Sequence, residues 1–122
     1  MKILVVEDSP EVAMITVEYL SELGHEAVAV ADAELAIVEL NAQGFDAVMT
    51  DVSLPGMSGI DLAKHLLEKF PTLPVIIASG YGSLKLEAML GQEPKHVMLL
   101  TKPYDLDTLV KTLTQARQLA GI

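Results

Sequence analysis

Apolar positions along this chain take two alternating forms: short runs rich in β-branched residues, and longer stretches at helical spacing. Lys2–Val6 reads as a buried strand. Ser9-Pro10 then supplies an N-cap with proline at the first helical position, and Val12, Ile15, Thr16, Tyr19, Leu20 and Leu23 form a helical stripe. Gly24 is placed to close that helix in the left-handed conformation. Ala27–Ala31 is predicted as the second strand, and Asp32 caps a helix to about Ala42. Phe45–Thr50 is the third strand, and Ser58 caps a helix to about Phe70, stopped by Pro71. Pro74–Ala78 and Val97–Thr101 make strands four and five. Asp105 caps a last helix with Leu106, Leu109, Val110, Leu113 and Ala116 on one stripe. Between Tyr81 and Lys95 the signal weakens, and Ser83–Leu90 reads as a short helix before Gly91 and Pro94 interrupt it.

Five strands separated by helices imply βα units and a parallel sheet. The runs Ile3–Val6 and Val75–Ala78 lack period-two alternation, as strands covered on both faces do. With right-handed crossovers, an α/β open doubly wound sheet is the simplest arrangement. Ligands of such sheets gather beyond the carboxyl ends of the strands, so the residues just after each strand carry the most information.

Composition narrows the setting. The 122 residues suit one domain, and 51% hydrophobic content supports a core. No apolar run is long enough to cross a bilayer, and Glu7 and Asp8 end the first run too early for a signal-peptide core. The chain has no cysteine, which excludes disulfides, thiolate nucleophiles and cysteine-ligated metals. A soluble cytoplasmic domain is expected, monomeric by default. The net charge of −9 is unevenly spread: from Ile3 to Asp61 there are twelve acids and no Lys or Arg. That half repels nucleic acid and anionic membrane, and no basic cluster compensates.

The strand ends carry candidate chemistry. Glu7 and Asp8 follow strand one, Asp51 strand three, Ser79 strand four and Lys102 strand five. Each alone has an ordinary reading as a cap, turn residue or surface lysine; the set is harder to dismiss. If strands one and three are neighbours, three carboxylates converge with a hydroxyl and an ammonium. A hard divalent cation would relieve their repulsion, and Mg²⁺ typically takes one or two carboxylates while keeping waters and phosphate oxygens. An ammonium and a hydroxyl opposite the metal suit the remaining oxygens of a phosphoryl group. His25, His65 and His96 match no catalytic or ligand spacing.

Glu7-Asp8 after KILVV, the run D-V-S-L-P-G-M-S-G-I-D from Asp51 to Asp61, Ser79 after PVIIA, and Lys102-Pro103-Tyr104 together resemble the receiver domain of bacterial two-component response regulators. The resemblance covers essentially the whole chain, 1–122, as a single receiver domain. It implies a flavodoxin-like five-stranded parallel sheet in the order 2-1-3-4-5, flanked by five helices. It further implies that Asp51 is the phosphoacceptor, taking a phosphoryl group from a histidine kinase or histidine phosphotransfer protein. By the same resemblance Asp8 binds Mg²⁺ (or Mn²⁺) directly beside Asp51, Glu7 acts through metal-bound water, and Ser53 lends its backbone carbonyl. Ser79 and Lys102 contact the phosphoryl group, Lys102-Pro103 is a cis peptide, and Pro55-Gly56 shape the loop beside the acceptor. The chain would be a signalling switch rather than an enzyme, acting on an unidentified downstream protein through the face made by the fourth helix, fifth strand and fifth helix.

Two features depart from the common pattern. Leu99 occupies the place, three before the lysine, where receivers usually carry a switching aromatic. The stretch Ala78-Ser79-Gly80-Tyr81-Gly82 instead resembles a subgroup known by a FATGUY motif, which makes Tyr81 the alternative switch candidate. Two other readings compete: a Mg²⁺-dependent phosphatase with an Asp nucleophile, and a phosphate-independent interaction module. The phosphatase is disfavoured by Ser53, which stands where haloacid-dehalogenase-type enzymes need a second Asp. A flavodoxin-like cofactor binder would want a glycine-rich loop where Glu7-Asp8-Ser9-Pro10 stands.

Overall fold

The computed structural model describes residues 1–80 and 96–122. The chain runs β1 (Lys2–Val6), α1 (Pro10–Glu22), β2 (Glu26–Val30), α2 (Ala33–Ala42), β3 (Ala47–Asp51), α3 (Gly59–Lys69), β4 (Val75–Ser79), β5 (Val97–Thr101) and α4 (Leu106–Ala120). Four of the five expected helices are among the described residues; the short helix expected at Ser83–Leu90 lies outside them.

All strand pairs are parallel and the order is β2-β1-β3-β4-β5. The apolar runs explain the layering. Leu4, Val6, Val48, Val75 and Ile77 pack with α2 and α3 residues on one face. Their alternates Ile3, Val5, Met49 and Ile76 pack with α1 and α4 residues on the other. Every second side chain meets a different helical layer, so both sets are apolar and no period-two signal survives in the sequence.

The helix starts follow their expected caps. Ser9, Asp32, Ser58 and Asp105 accept from the backbone N–H groups of Val12, Leu35, Asp61 and Thr108, respectively. Gly24 (φ +88°) ends α1. Its N–H donates to the Ser21 carbonyl and that of His25 to the Leu20 carbonyl, the double closure that a left-handed residue permits.

The stripes are only half correct. On α1 the buried residues are Ala13, Thr16 and Leu20, whereas Val12, Ile15 and Tyr19 are 42–49% exposed. On α4 Leu109, Thr112, Leu113 and Ala116 are buried, whereas Leu106 and Val110 are 56% and 40% exposed. Periodicity located the apolar arc of each helix, but the sheet covers only one flank of it.

Register delivers the site residues to one edge. Val6 pairs with Thr50 and Asp51 with Ala78. Ser79 pairs with Thr101, directly before Lys102. Asp51 is thus the last residue of β3 rather than the first after it. Gly59, first residue of α3, holds that end in place: its N–H donates to the Val52 carbonyl at 3.0 Å. A Cβ on Gly59 would lie 2.1 Å from the Asp51 carbonyl oxygen and 2.9 Å from Val52 Cα, so only glycine lets α3 start against the β3 backbone. Gly59→Ala is therefore expected to cost about 1–3 kcal/mol by overpacking. Urea unfolding checks this, and a loss below about 0.5 kcal/mol would mean that the loop yields freely.

Candidate functional site

Beyond the carboxyl ends of β1 and β3, Glu7, Asp8 and Asp51 bring carboxylate oxygens within 4.8 Å of one another. They differ in environment because the chain turns at Glu7. The Glu7 N–H donates to the Val30 carbonyl at 3.0 Å, which continues the β1–β2 ladder by one step and draws this side chain inward. Glu7 is 8% exposed and Asp8 is exposed. The Glu7 carboxylate accepts from the Ser9 N–H at 3.1 Å, so it also braces the residue that caps α1.

Lys102 supplies the counter-charge. Its Nζ lies 3.3 Å from Asp51 Oδ1 and 3.9 Å from Glu7 Oε1. The backbone N–H of Lys102 donates to the Ser79 carbonyl at 2.7 Å, and the Lys102-Pro103 peptide is cis, as expected. Ser79 is fully buried at the end of β4. Ser53 approaches through its N–H, 3.5 Å from Asp51 Oδ1, a long contact at the limit of a hydrogen bond. The Thr50 hydroxyl donates to the Asp51 carbonyl at 3.0 Å.

One ammonium does not balance three carboxylates. Burial foremost holds Glu7 above the ordinary carboxylate range; the Ser9 N–H opposes that, Asp8 and Asp51 add to it, and Lys102 partly offsets it. The donor set is all hard oxygen, open on the Asp8 side, and it fits a divalent cation that keeps some of its water. Among the described residues no other group of carboxylates or histidines converges in this way. His25 is engaged at the opposite end of the sheet, where its Nδ1 lies 2.9 Å from the N-terminal amine.

The structure thus brings together Glu7, Asp8, Asp51, Ser53, Ser79 and Lys102. Leu99 is half-buried on β5, in register with Ile77 and away from the acids. Tyr81 lies outside the described residues. Two contributors had escaped the sequence reading. One is Gly59, whose only trace is its place in the Asp51–Asp61 run. The other is Tyr104, quoted in the Lys102-Pro103-Tyr104 run but given no role there, which is half-buried, lines the same small cavity as Thr16 of α1, and is lifted above the usual phenol range chiefly by burial. With Glu7, Asp51 and Lys102 it walls a small cavity of about 20 Å³ beneath the acids, room for one water.

Comparison with known proteins agrees with this geometry. The family model of the response regulator receiver domain matches residues 3–114. The chain is 33% identical over 112 residues to the transcriptional regulatory protein TcrA of Mycobacterium tuberculosis, covering 92% of this chain and 44% of that protein. It is 31% identical to the sensor protein TorS of Escherichia coli K12, over 98% of this chain and 13% of that one. Among solved structures, the signal receiver domain of an HD domain-containing protein from Pseudomonas fluorescens Pf-5 superposes with a TM-score of 0.88 at 28% identity, over 98% of this chain and 96% of that one. The chain spans less than half the length of TcrA and a small part of TorS. No described helix is long and apolar enough to cross a membrane. Sheet order, acid cluster and family match converge, and the chain belongs to the response regulator receiver domains, the phosphorylation-activated switches of two-component signalling.

Proposed function

We propose that Asp51 is the phosphoacceptor of this receiver and that the chain acts in the cytoplasm as a switch with no turnover of other substrates. The observation that carries this reading is the Asp51–Lys102 pair at 3.3 Å beside Glu7 and Asp8. An ionised carboxylate needs no general base to act as a nucleophile. An Asp51 oxygen attacks the phosphorus of a phosphohistidine on a kinase or phosphotransfer protein. The P–N bond breaks as the O–P bond forms, and the departing imidazole keeps the electron pair and takes up a proton. The rest is positioning and charge neutralisation. Lys102 follows charge from Asp51 onto the new phosphoryl oxygens, and Ser79 holds one of them.

Asp8 and Asp51 would hold Mg²⁺ directly, with the Ser53 carbonyl, while Glu7 acts through metal-bound water. The ion would neutralise charge that accumulates on the transferring group. Mn²⁺ satisfies the same oxygen donors.

Incubation with acetyl phosphate and Mg²⁺ should give a base-labile mass increment of one phosphoryl group, absent in Asp51→Ala by intact-mass spectrometry; an adduct surviving in that variant would displace Asp51 from the role. Lys102→Ala should slow adduct formation by about 10²-fold, the size of effect of removing one preorganised charge, and a change within about twofold would deny Lys102 its part.

Glu7 tests the charge balance. Because its folded pKa is raised, its ionisation costs stability above that pKa, and the cost is relieved as pH falls through it. Glu7→Gln should therefore be more stable than wild type at pH 7 without divalent cation, and the gap should narrow toward pH 4. Mg²⁺ at about 100 times its Kd should add about 2.7 kcal/mol to wild type and less to the variant. Urea unfolding at the two pH values reads both effects, and a Glu7→Gln protein less stable at pH 7 would contradict them.

A further inference from the structure

The amino-terminal edge of the sheet, at the end opposite the acids, gathers positive charge in a chain whose net charge is −9. Three parts of the chain meet there: the residue before β1, the turn from α1 into β2, and the second half of α4. They bring together the α-amine of Met1, His25 and Arg117, which is the chain's one arginine. An ammonium can only donate, so the His25 Nδ1, 2.9 Å away, accepts from it. That fixes the tautomer: the neutral imidazole carries its proton on Nε2 and is a donor there.

No acid answers this charge. Among the described residues Arg117 takes part in no ion pair. Glu26, beside His25 in the chain, is turned to Lys2 at 3.7 Å, and the Asp46 carboxylate accepts from the Lys2 N–H. Glu22 is exposed in the last turn of α1 and lines the larger groove beside Tyr104. Burial first, then the ammonium and Arg117, hold His25 below the ordinary imidazole range, and no carboxylate opposes them.

The uncompensated charge borders a hollow of about 150 Å³, lined by Leu23, His25, Val110, Leu113, Thr114 and Arg117. Leu113 is buried, Leu23 half-buried and Val110 exposed, so aliphatic carbon stands beside the N–H donors. The Thr114 hydroxyl donates to the Val110 carbonyl at 2.9 Å, which leaves donation into the hollow to His25 and Arg117. The volume is below the roughly 300 Å³ at which pockets begin to enclose drug-sized ligands. A phosphate dianion would lose water to an aliphatic wall that cannot replace it. A carboxylate offers two oxygens to the guanidinium fork, and a short hydrocarbon tail covers the wall.

We propose that this hollow is a binding site for a small aliphatic carboxylate, its head held by Arg117 and His25 and its tail by Leu23, Val110 and Leu113. The Met1 amine acts through His25, by holding the ring in one tautomer. The site does not rest on the phosphoacceptor reading of Asp51.

The test is a series of ¹H–¹⁵N correlation spectra of the full chain, titrated at pH 7 and constant ionic strength with sodium hexanoate, 1-hexanol or inorganic phosphate. Hexanoate should move the amide signals of Leu23, His25, Val110 and Arg117 along one saturable curve, with a Kd on the order of 1 mM. Hexanol lacks the charge and phosphate lacks the tail, so each should bind at least about tenfold more weakly. Arg117→Gln should weaken hexanoate by about tenfold or more, as loss of a charge-assisted contact does. Val110→Ser should weaken hexanoate and leave the weaker binding of acetate unchanged. Both positions are exposed, so both variants should keep the wild-type circular dichroism. The proposal is overturned by the absence of saturable shifts, or by shifts centred on other residues. Hexanol binding as tightly as hexanoate would reduce the hollow to an apolar dimple, and phosphate binding as tightly would make it a plain anion site; either result rejects the carboxylate. An Arg117→Gln protein that binds hexanoate as wild type does rejects it as well.

Discussion

Three carboxylates and one ammonium share the carboxyl edge of this sheet, and the remaining parts of the site are arranged around that imbalance. Charges of one sign held within 4.8 Å raise one another's cost, and burial of Glu7 adds to it. A fold tolerates such a cluster only if something else holds the residues in place. Here the holding is done by backbone: the ladder step from Glu7 to Val30, the Asp51–Ala78 register, and the Lys102 N–H on the Ser79 carbonyl. The charged groups are therefore positioned by bonds that do not depend on charge. They can exchange partners, from one another to a cation or a phosphoryl group, without the sheet coming apart. A switch needs this separation between what holds and what changes.

The sheet also fixes which side each group comes from. By the two-residue period of strands, Asp51 follows Met49 toward the α1/α4 layer, and Ser79 follows Ile77 toward the α2/α3 layer. A group bound at the edge is consequently touched from both sides of the molecule. The α1/α4 side leads through Lys102 and Tyr104 to a groove that the core leaves unfilled. The fold thus gives the site two mechanically distinct neighbours, and each helical layer can respond to it separately.

Much of this was legible in the chain. Ser9, Asp32, Ser58 and Asp105 announced the helix starts because capping is a local interaction, complete within three residues. The strand ends were legible because an uninterrupted apolar run followed by a carboxylate or lysine marks where a buried strand meets water. The apolar stripes of α1 and α4 were read correctly as apolar but wrongly as one face, since spacing records hydrophobicity and not what lies opposite. The difference between Glu7 and Asp8 was partly hidden for the same reason: burial of the first depends on Val30, a partner 23 positions away. The roles of Tyr104 and Gly59 depend on contacts between separate elements, which no local pattern encodes. Tyr81 lies outside the described residues.

The contact between Gly59 and the Asp51 carbonyl has a bearing on how tolerance to substitution is interpreted. A survey of all replacements scored by signalling output would rank position 59 beside the acids, although it has no side chain and touches no reacting atom. Its intolerance would come from volume alone, as only a hydrogen fits where a methyl would meet the backbone at 2.1 Å. Such a survey would show an apparent active-site residue that chemical rescue and altered metal or donor identity leave unmoved. That insensitivity separates a residue that makes room for chemistry from one that performs it.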